Sequence, residues 1–99
     1  MIRWTRNALI AQGKKEQALQ WAKTLTEWAN KKYNLRMTVY VDDFGENGNI
    51  QWFIDYESPA ECEKTAQALL NDQEYLRELN LGADLLIERS AFDTVLHTF

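Results

Sequence analysis

Two residue types that often carry chemistry are almost missing from this 99-residue chain, which has one cysteine, Cys62, and one histidine, His97. A lone cysteine excludes an internal disulfide and leaves no thiol pair for a metal cluster. Cys62 itself reads as a small apolar side chain buried on a helix. Any histidine-dependent acid–base or metal chemistry must use His97. Proline is equally scarce, with Pro59 alone, and the four glycines are scattered. No Pro/Gly/Ser linker, repeat or low-complexity tract therefore divides the chain, and residues 1–99 read as a single domain. A chain of this size can bury roughly two-thirds of its unfolded surface around one core without metal or disulfide help.

Long apolar runs are also absent: none approaches the roughly twenty residues that a membrane span requires. The opening Met-Ile-Arg-Trp has no signal-peptide apolar region. The expectation is a cytoplasmic protein without membrane contact. Positive charge is in deficit, with eleven basic against fifteen acidic residues, a net charge of -4 and a pI near 4.9. That balance argues against binding along a phosphate backbone, which runs on Lys and Arg.

What the chain does have is a hairpin pattern from Arg36 to Glu57. Two runs rich in β-branched and aromatic residues, Leu35 to Val41 and Ile50 to Tyr56, flank Asn47-Gly48, the dipeptide that best suits a tight type I′ turn. A turn there sets Glu46 opposite Asn49, Tyr40 opposite Asp55 and Val41 opposite Ile54. One face then carries Met37, Val39, Val41, Ile50, Trp52, Ile54 and Tyr56. The other mixes Tyr40, Phe44 and Phe53 with Asp42, Asp55 and Glu57.

Around the hairpin, Ile2 to Ile10 alternates as a first strand, with Ile2, Trp4, Arg6, Ala8 and Ile10 on one side. Lys14 to Tyr33 places Ala18, Trp21, Ala22, Leu25, Trp28 and Ala29 on a helical stripe, with Asn34 as a left-handed cap and no good start signal. Ser58-Pro59-Ala60-Glu61 is a capping box opening a second helix, whose buried stripe runs through Ala60, Cys62 or Glu63, Ala66, Leu69 and Leu70. Asn71-Asp72-Gln73-Glu74 can restart it, and Gly82 ends that piece. Residues 83–89 suit a short helix or a strand, with helix the preferred reading. A last strand follows from Phe92, with Asp93, Val95 and His97 on one side and Phe92, Thr94 and Leu96 on the other.

Strand, helix, hairpin, helix, strand is the βαββαβ order of a ferredoxin-like α+β fold, with an antiparallel sheet ordered 4-1-3-2 and both helices on one face. The helices belong over the aliphatic side of the hairpin, leaving the Tyr40, Phe53 and Asp55 side open. Four strands of about six residues expose roughly 400 Å² there, which a monomer can tolerate.

In element order the chain resembles the dimeric α/β barrel group of ferredoxin-like folds. Its C-terminal half, SPAECEKTAQALLNDQEYLRELNLGADLLIERSAFDTVLHTF, is similar in style to NIPSNAP-like and small cofactor-independent monooxygenase-like members: a helix, a restart, then a Ser-containing turn into an Asp-Thr-Val-Leu strand. The resemblance implies a homodimer whose open sheet faces enclose a cavity. Such a cavity would be lined by Asn7, Tyr40, Phe53, Asp55 and His97 and would take a small aromatic or apolar molecule. It also implies oxygenase-like chemistry without a bound cofactor, in which His97 is the one candidate base near neutral pH. No residue matches a catalytic motif of the group.

Two other covers for the open face fit the pattern. A non-catalytic interaction module would receive a protein partner there or on the Trp21/Trp28 helix. RNA is the weaker choice: Phe53 to Ser58 resembles the end of the third strand of an RNA-recognition motif, but Asn49, Ile50, Gln51 and Trp52 depart from it, and Asp55 and Glu57 would repel phosphates. The acidic tip Asp42 to Asn49 has calcium-like composition without the twelve-residue ligand spacing. No phosphate loop and no Ser-His-Asp or Cys-His arrangement can be placed.

Overall fold

The computed structural model describes residues 1–42 and 48–98. The elements run β1 (Ile2–Leu9), α1 (Lys15–Tyr33), β2 (Thr38–Val41), β3 (Asn49–Tyr56), α2 (Pro59–Leu70), α3 (Gln73–Leu81) and β4 (Phe92–His97), with a short 3-10 turn at Ala83–Leu85. The sheet is antiparallel and ordered β2-β3-β1-β4, the 4-1-3-2 order expected.

Helix α1 forms the tight half of the protein. Ala18, Ala22, Leu25, Thr26 and Ala29 are buried along it, and the three alanines let the helix axis approach the sheet closely. Trp52 of β3 sends its indole N–H to the Thr26 hydroxyl at 3.1 Å. No side chain caps the start of α1, while Asn34 closes it at φ 53°. Asn30 then fixes the path into β2, accepting from the Met37 N–H at 2.8 Å and donating to the Met37 carbonyl at 3.0 Å.

The hairpin corrects the expected register. Val41 pairs with Ile50, Tyr40 with Gln51 and Val39 with Trp52, and the Asp42 N–H donates to the Asn49 carbonyl at 2.9 Å. The strands therefore meet four residues away from the pairing that a two-residue Asn47-Gly48 turn demands, because the connection is longer than that turn. A shift by an even number preserves which side chains share a face, so Tyr40, Phe53 and Asp55 still stand on the open side. Asp43, Phe44, Gly45, Glu46 and Asn47 lie outside the described residues, and with them the Asn of the expected turn, the placement of Phe44 and most of the calcium-like tip. Gly48 has φ +63°, and a Cβ added to it would lie 3.4 Å from Ile10 Cδ1.

Ser58 caps α2, accepting from the Glu61 N–H at 3.3 Å, while Glu61 accepts from the Glu57 N–H at 3.2 Å. Asp72, rather than Asn71, caps α3, accepting from the N–H groups of Glu74 and Tyr75. The expected apolar stripe on α2 is mostly wet: Leu69 alone is buried on that helix, and Leu70 is 65% exposed. Beyond the 3-10 turn, the chain extends along the end of β1 through a bridge between Leu86 and Ile10 and the Ile87 N–H to Leu9 carbonyl bond. Residues 83–89 therefore form neither the preferred short helix nor a strand, but a three-residue 3-10 turn followed by a single bridge residue.

Strand β4 corrects a face. Its partners on β1 are Ile2 for His97, Trp4 for Val95 and Arg6 for Asp93, all on the helix side. Phe92, Thr94 and Leu96 face the open side instead. As an edge strand with five of its six residues exposed, β4 has no hydrophobic alternation from which its facing could be read. Among the described residues no helix is long and apolar enough to cross a membrane.

Candidate functional site

A hollow on the open face gathers three of the five residues expected to line a cavity, Tyr40, Phe53 and Asp55. Arg3 of β1 stands opposite Asp55 of β3 and grips its carboxylate through Nε at 2.8 Å and Nη2 at 3.0 Å. That hydrogen bond holds the Asp55 carboxyl below its ordinary range. The Arg3 guanidinium also lies 5.3 Å from the Phe53 ring centre, and Tyr40 meets Phe53 edge-on at 5.3 Å. Tyr40 and Asp55 thus share a face but not a pair, since Tyr40 stands opposite Gln51. A shallow hollow of about 750 Å³ covers this patch, with Arg36 and Glu57 at its margin.

Asn7 and His97 do not line that hollow. Asn7 sits deeper on the same face, 6% exposed between Gln51 and Phe92. His97 is exposed on the opposite face of the sheet, beside Ile2. The five expected residues are therefore not one constellation.

A second concavity lies on the helix side. A cavity of about 400 Å³ opens between the sheet and the helices, walled by Trp4, Trp21, Leu25, Trp52, Tyr75 and Leu79, with Ala91 and Phe92 among its further lining. A hollow of about 230 Å³ adjoins it beneath α2, sharing Trp4, Arg6, Tyr75, Leu79 and Asp93 and adding Cys62 and Leu69. The loose contact of α2 leaves this space unfilled.

The polar groups of the cavity are Arg6 and Asp93. Arg6 donates to Asp93 through Nε at 2.7 Å and Nη2 at 2.9 Å, and the Trp4 indole N–H adds a third bond at 3.3 Å. The Arg6 guanidinium also lies 5.4 Å from the Trp4 ring centre. Burial pushes the Asp93 carboxyl up, but Arg6 and Trp4 together outweigh it and hold the group below its ordinary range. Hydrogen bonding to Asp93 likewise raises Arg6. Burial pushes up the Tyr75 phenol, with Arg6 nearby partly opposing it, and burial alone pushes up the Cys62 thiol. The pair is ionised on both sides, so it presents hydrogen-bonding edges without net charge.

Neither Arg6 nor Asp93 was singled out from the sequence, though one signal was available. Arg6 falls on the same side of β1 as Ile2, Trp4, Ala8 and Ile10, and a charge on a core-facing stripe needs a partner. Among the described residues no group of His, Cys, Asp and Glu side chains is placed to hold a metal ion.

No family model matches the chain, and no curated protein matches its sequence. Solved structures do. The chain superposes on an uncharacterized NIPSNAP domain protein from Burkholderia xenovorans with a TM-score of 0.81 at 15% identity, covering 100% of this chain and 95% of that one. A NIPSNAP family protein from Agrobacterium tumefaciens gives 0.80 at 17% identity, over 99% and 92%. A putative antibiotic biosynthesis monooxygenase from Nitrosomonas europaea gives 0.74 at 15% identity, over 99% and 98%. The chain therefore has the ferredoxin-like fold of NIPSNAP and antibiotic biosynthesis monooxygenase-like proteins.

Proposed function

We propose that this protein binds a small, uncharged aromatic or otherwise apolar molecule in the cavity between its helices and its sheet, rather than between facing sheets. The observation that carries this is the cavity itself: about 400 Å³, walled by indole and phenol rings, with the Arg6–Asp93 pair as its convergent polar feature. That size and lining suit a small-molecule site. Because Asp93 already neutralises Arg6, a charged ligand would gain no free counter-ion there. The open-face hollow has four charged side chains around it, Arg3, Arg36, Asp55 and Glu57, and a more polar wall.

2-Naphthol, a neutral fluorophore, tests the reading. A saturable change in its fluorescence is expected, with weaker binding of its sulfonated analogue 2-naphthol-6-sulfonate and loss of binding in Ala91→Trp, which plugs the cavity lining from an exposed position. Undiminished binding by Ala91→Trp, or no saturable binding at all, would overturn it. Dioxygen uptake on adding a cavity ligand would extend the reading to oxygenase-like chemistry, the activity in the name of the monooxygenase-like neighbours.

A second reading, homodimerisation through the open sheet face, is supported by four large apolar side chains there. Leu9, Tyr40, Phe92 and Leu96 are 42%, 58%, 57% and 54% exposed. Arg3 and Arg36 balance Asp55 and Glu57 around the adjoining hollow, so two copies can face each other without net repulsion. Light scattering should give twice the 11.6 kDa chain mass, reverting to one chain in Phe92→Asp/Leu96→Asp. A monomer at high protein concentration would remove this reading and leave the cavity untouched.

A further inference from the structure

Trp21 of α1 is one wall of the cavity, and its indole is held from three sides. Its N–H donates to the Glu78 carbonyl on α3 at 2.9 Å. Its ring meets Trp52 edge-on, with centroids 6.0 Å apart and planes at 87°. Its third neighbour is Gly82, the residue after α3. A Cβ built on Gly82 would fall 2.0 Å from Trp21 Cε2, 2.3 Å from Cζ2 and 2.4 Å from Cδ2. Those three atoms lie around one edge of the indole fusion, so the Gly82 backbone rests on the ring itself. Gly82 has φ -94°, an ordinary conformation for any residue. What requires glycine there is this contact, not the backbone angle.

We propose that Trp21, seated on Gly82, sets the size limit of the ligand: the indole is the wall that decides how large an aromatic molecule the cavity accepts. This rests on the cavity being the binding site. The geometry makes the limit rigid. The ring is hydrogen-bonded to α3 on one side and packed on β3 through Trp52, so it cannot swing away without breaking the part-buried bond to Glu78 and its contact with Trp52. Nor can it retreat towards α3, because the backbone of Gly82 is already in contact with it. A side chain at position 82 would push the ring towards the cavity or push α3 outward, and both change the space available.

The test uses phenol, 2-naphthol and 1-hydroxypyrene, a series of neutral hydroxy-aromatics of rising size, titrated by calorimetry into the full chain. The wild type should bind 2-naphthol and discriminate against 1-hydroxypyrene by about tenfold or more, the scale on which a shaped apolar pocket rejects excess bulk. Trp21→Phe should remove most of that discrimination, raising 1-hydroxypyrene affinity about tenfold relative to 2-naphthol. Gly82→Ala should move the limit the other way, weakening 2-naphthol relative to phenol. In Trp21→Phe/Gly82→Ala the smaller ring leaves room for the new methyl group, so both folding and 2-naphthol binding should recover. The double variant keeps the test decisive if Gly82→Ala alone does not fold. Wild-type binding with an unchanged size order in Trp21→Phe would overturn the proposal. Failure of the wild type to bind any of the three would instead overturn the cavity reading on which it rests.

Discussion

Helices α1 and α2 cover the same face of one sheet, yet they do it differently. Helix α1 buries five residues, three of them alanines, which pack into the main core with Ile50, Trp52 and Ile54 of β3. Helix α2 buries Leu69 alone and is positioned by what happens at its ends: the Ser58 cap at its start and the Asp72 cap of α3 beyond it. Burial holds the first helix and end-capping the second. The hollow of about 230 Å³ survives under α2, next to the larger cavity that α1, α3 and the sheet enclose. A protein of this size can keep a hollow where local hydrogen bonds, rather than apolar contact, hold the roof.

The largest test of this contrast compares leucines. Leu25→Ala, 6% exposed on α1, should cost about 2–5 kcal/mol in urea unfolding. Leu70→Ala, 65% exposed on α2, should stay within about 0.5 kcal/mol. Similar costs at the two sites would break the contrast. Thr26→Val comes next: it orphans the buried Trp52 N–H and should cost about 1–3 kcal/mol. Ser58→Ala should cost about 1 kcal/mol, which is a larger effect than any exposed apolar truncation on α2 and would confirm that capping carries that helix.

The smallest expected effect is one of slope. Asp72 is hydrogen-bonded by Lys32 at 2.7 Å and by the Tyr33 hydroxyl, besides its two backbone donors. Lys32 first, and Tyr33 next, hold its carboxyl far below the usual range. A depressed carboxyl contributes stability above its unfolded value, near pH 4, and loses it as pH falls further. Below about pH 4, wild-type stability should therefore fall more steeply than that of Asp72→Asn. Parallel acid limbs would show that the cluster does not hold α3.

Much of this architecture was legible because strong local signals agreed with it. The alternation of Ile2, Trp4, Ala8 and Ile10, the Ser58-Pro59-Ala60-Glu61 cap and the left-handed Asn34 each rest on nearest neighbours. The hairpin register was not legible, because Asn47-Gly48 was read as a two-residue turn while Asp42 bonds across to Asn49. The facing of β4 was not legible either, because an exposed edge strand is under little pressure to alternate, and with it went the placement of His97. The cavity was hidden for a different reason. Its walls come from α1, α3 and the sheet, which lie far apart in the sequence, and Arg6 and Asp93 are 87 residues apart until the sheet joins them.

One consequence of the strand order is kinetic. The central strand β1 takes both neighbours from far along the chain, since Ile2 pairs with Tyr56 on one side and with His97 on the other. Neither pairing can reward the chain until a long loop has closed. The β2–β3 hairpin, whose Val41 and Ile50 are near in sequence, can form before either. Substitutions in that hairpin should therefore slow folding, while substitutions on β4, the last strand to be joined, should chiefly speed unfolding.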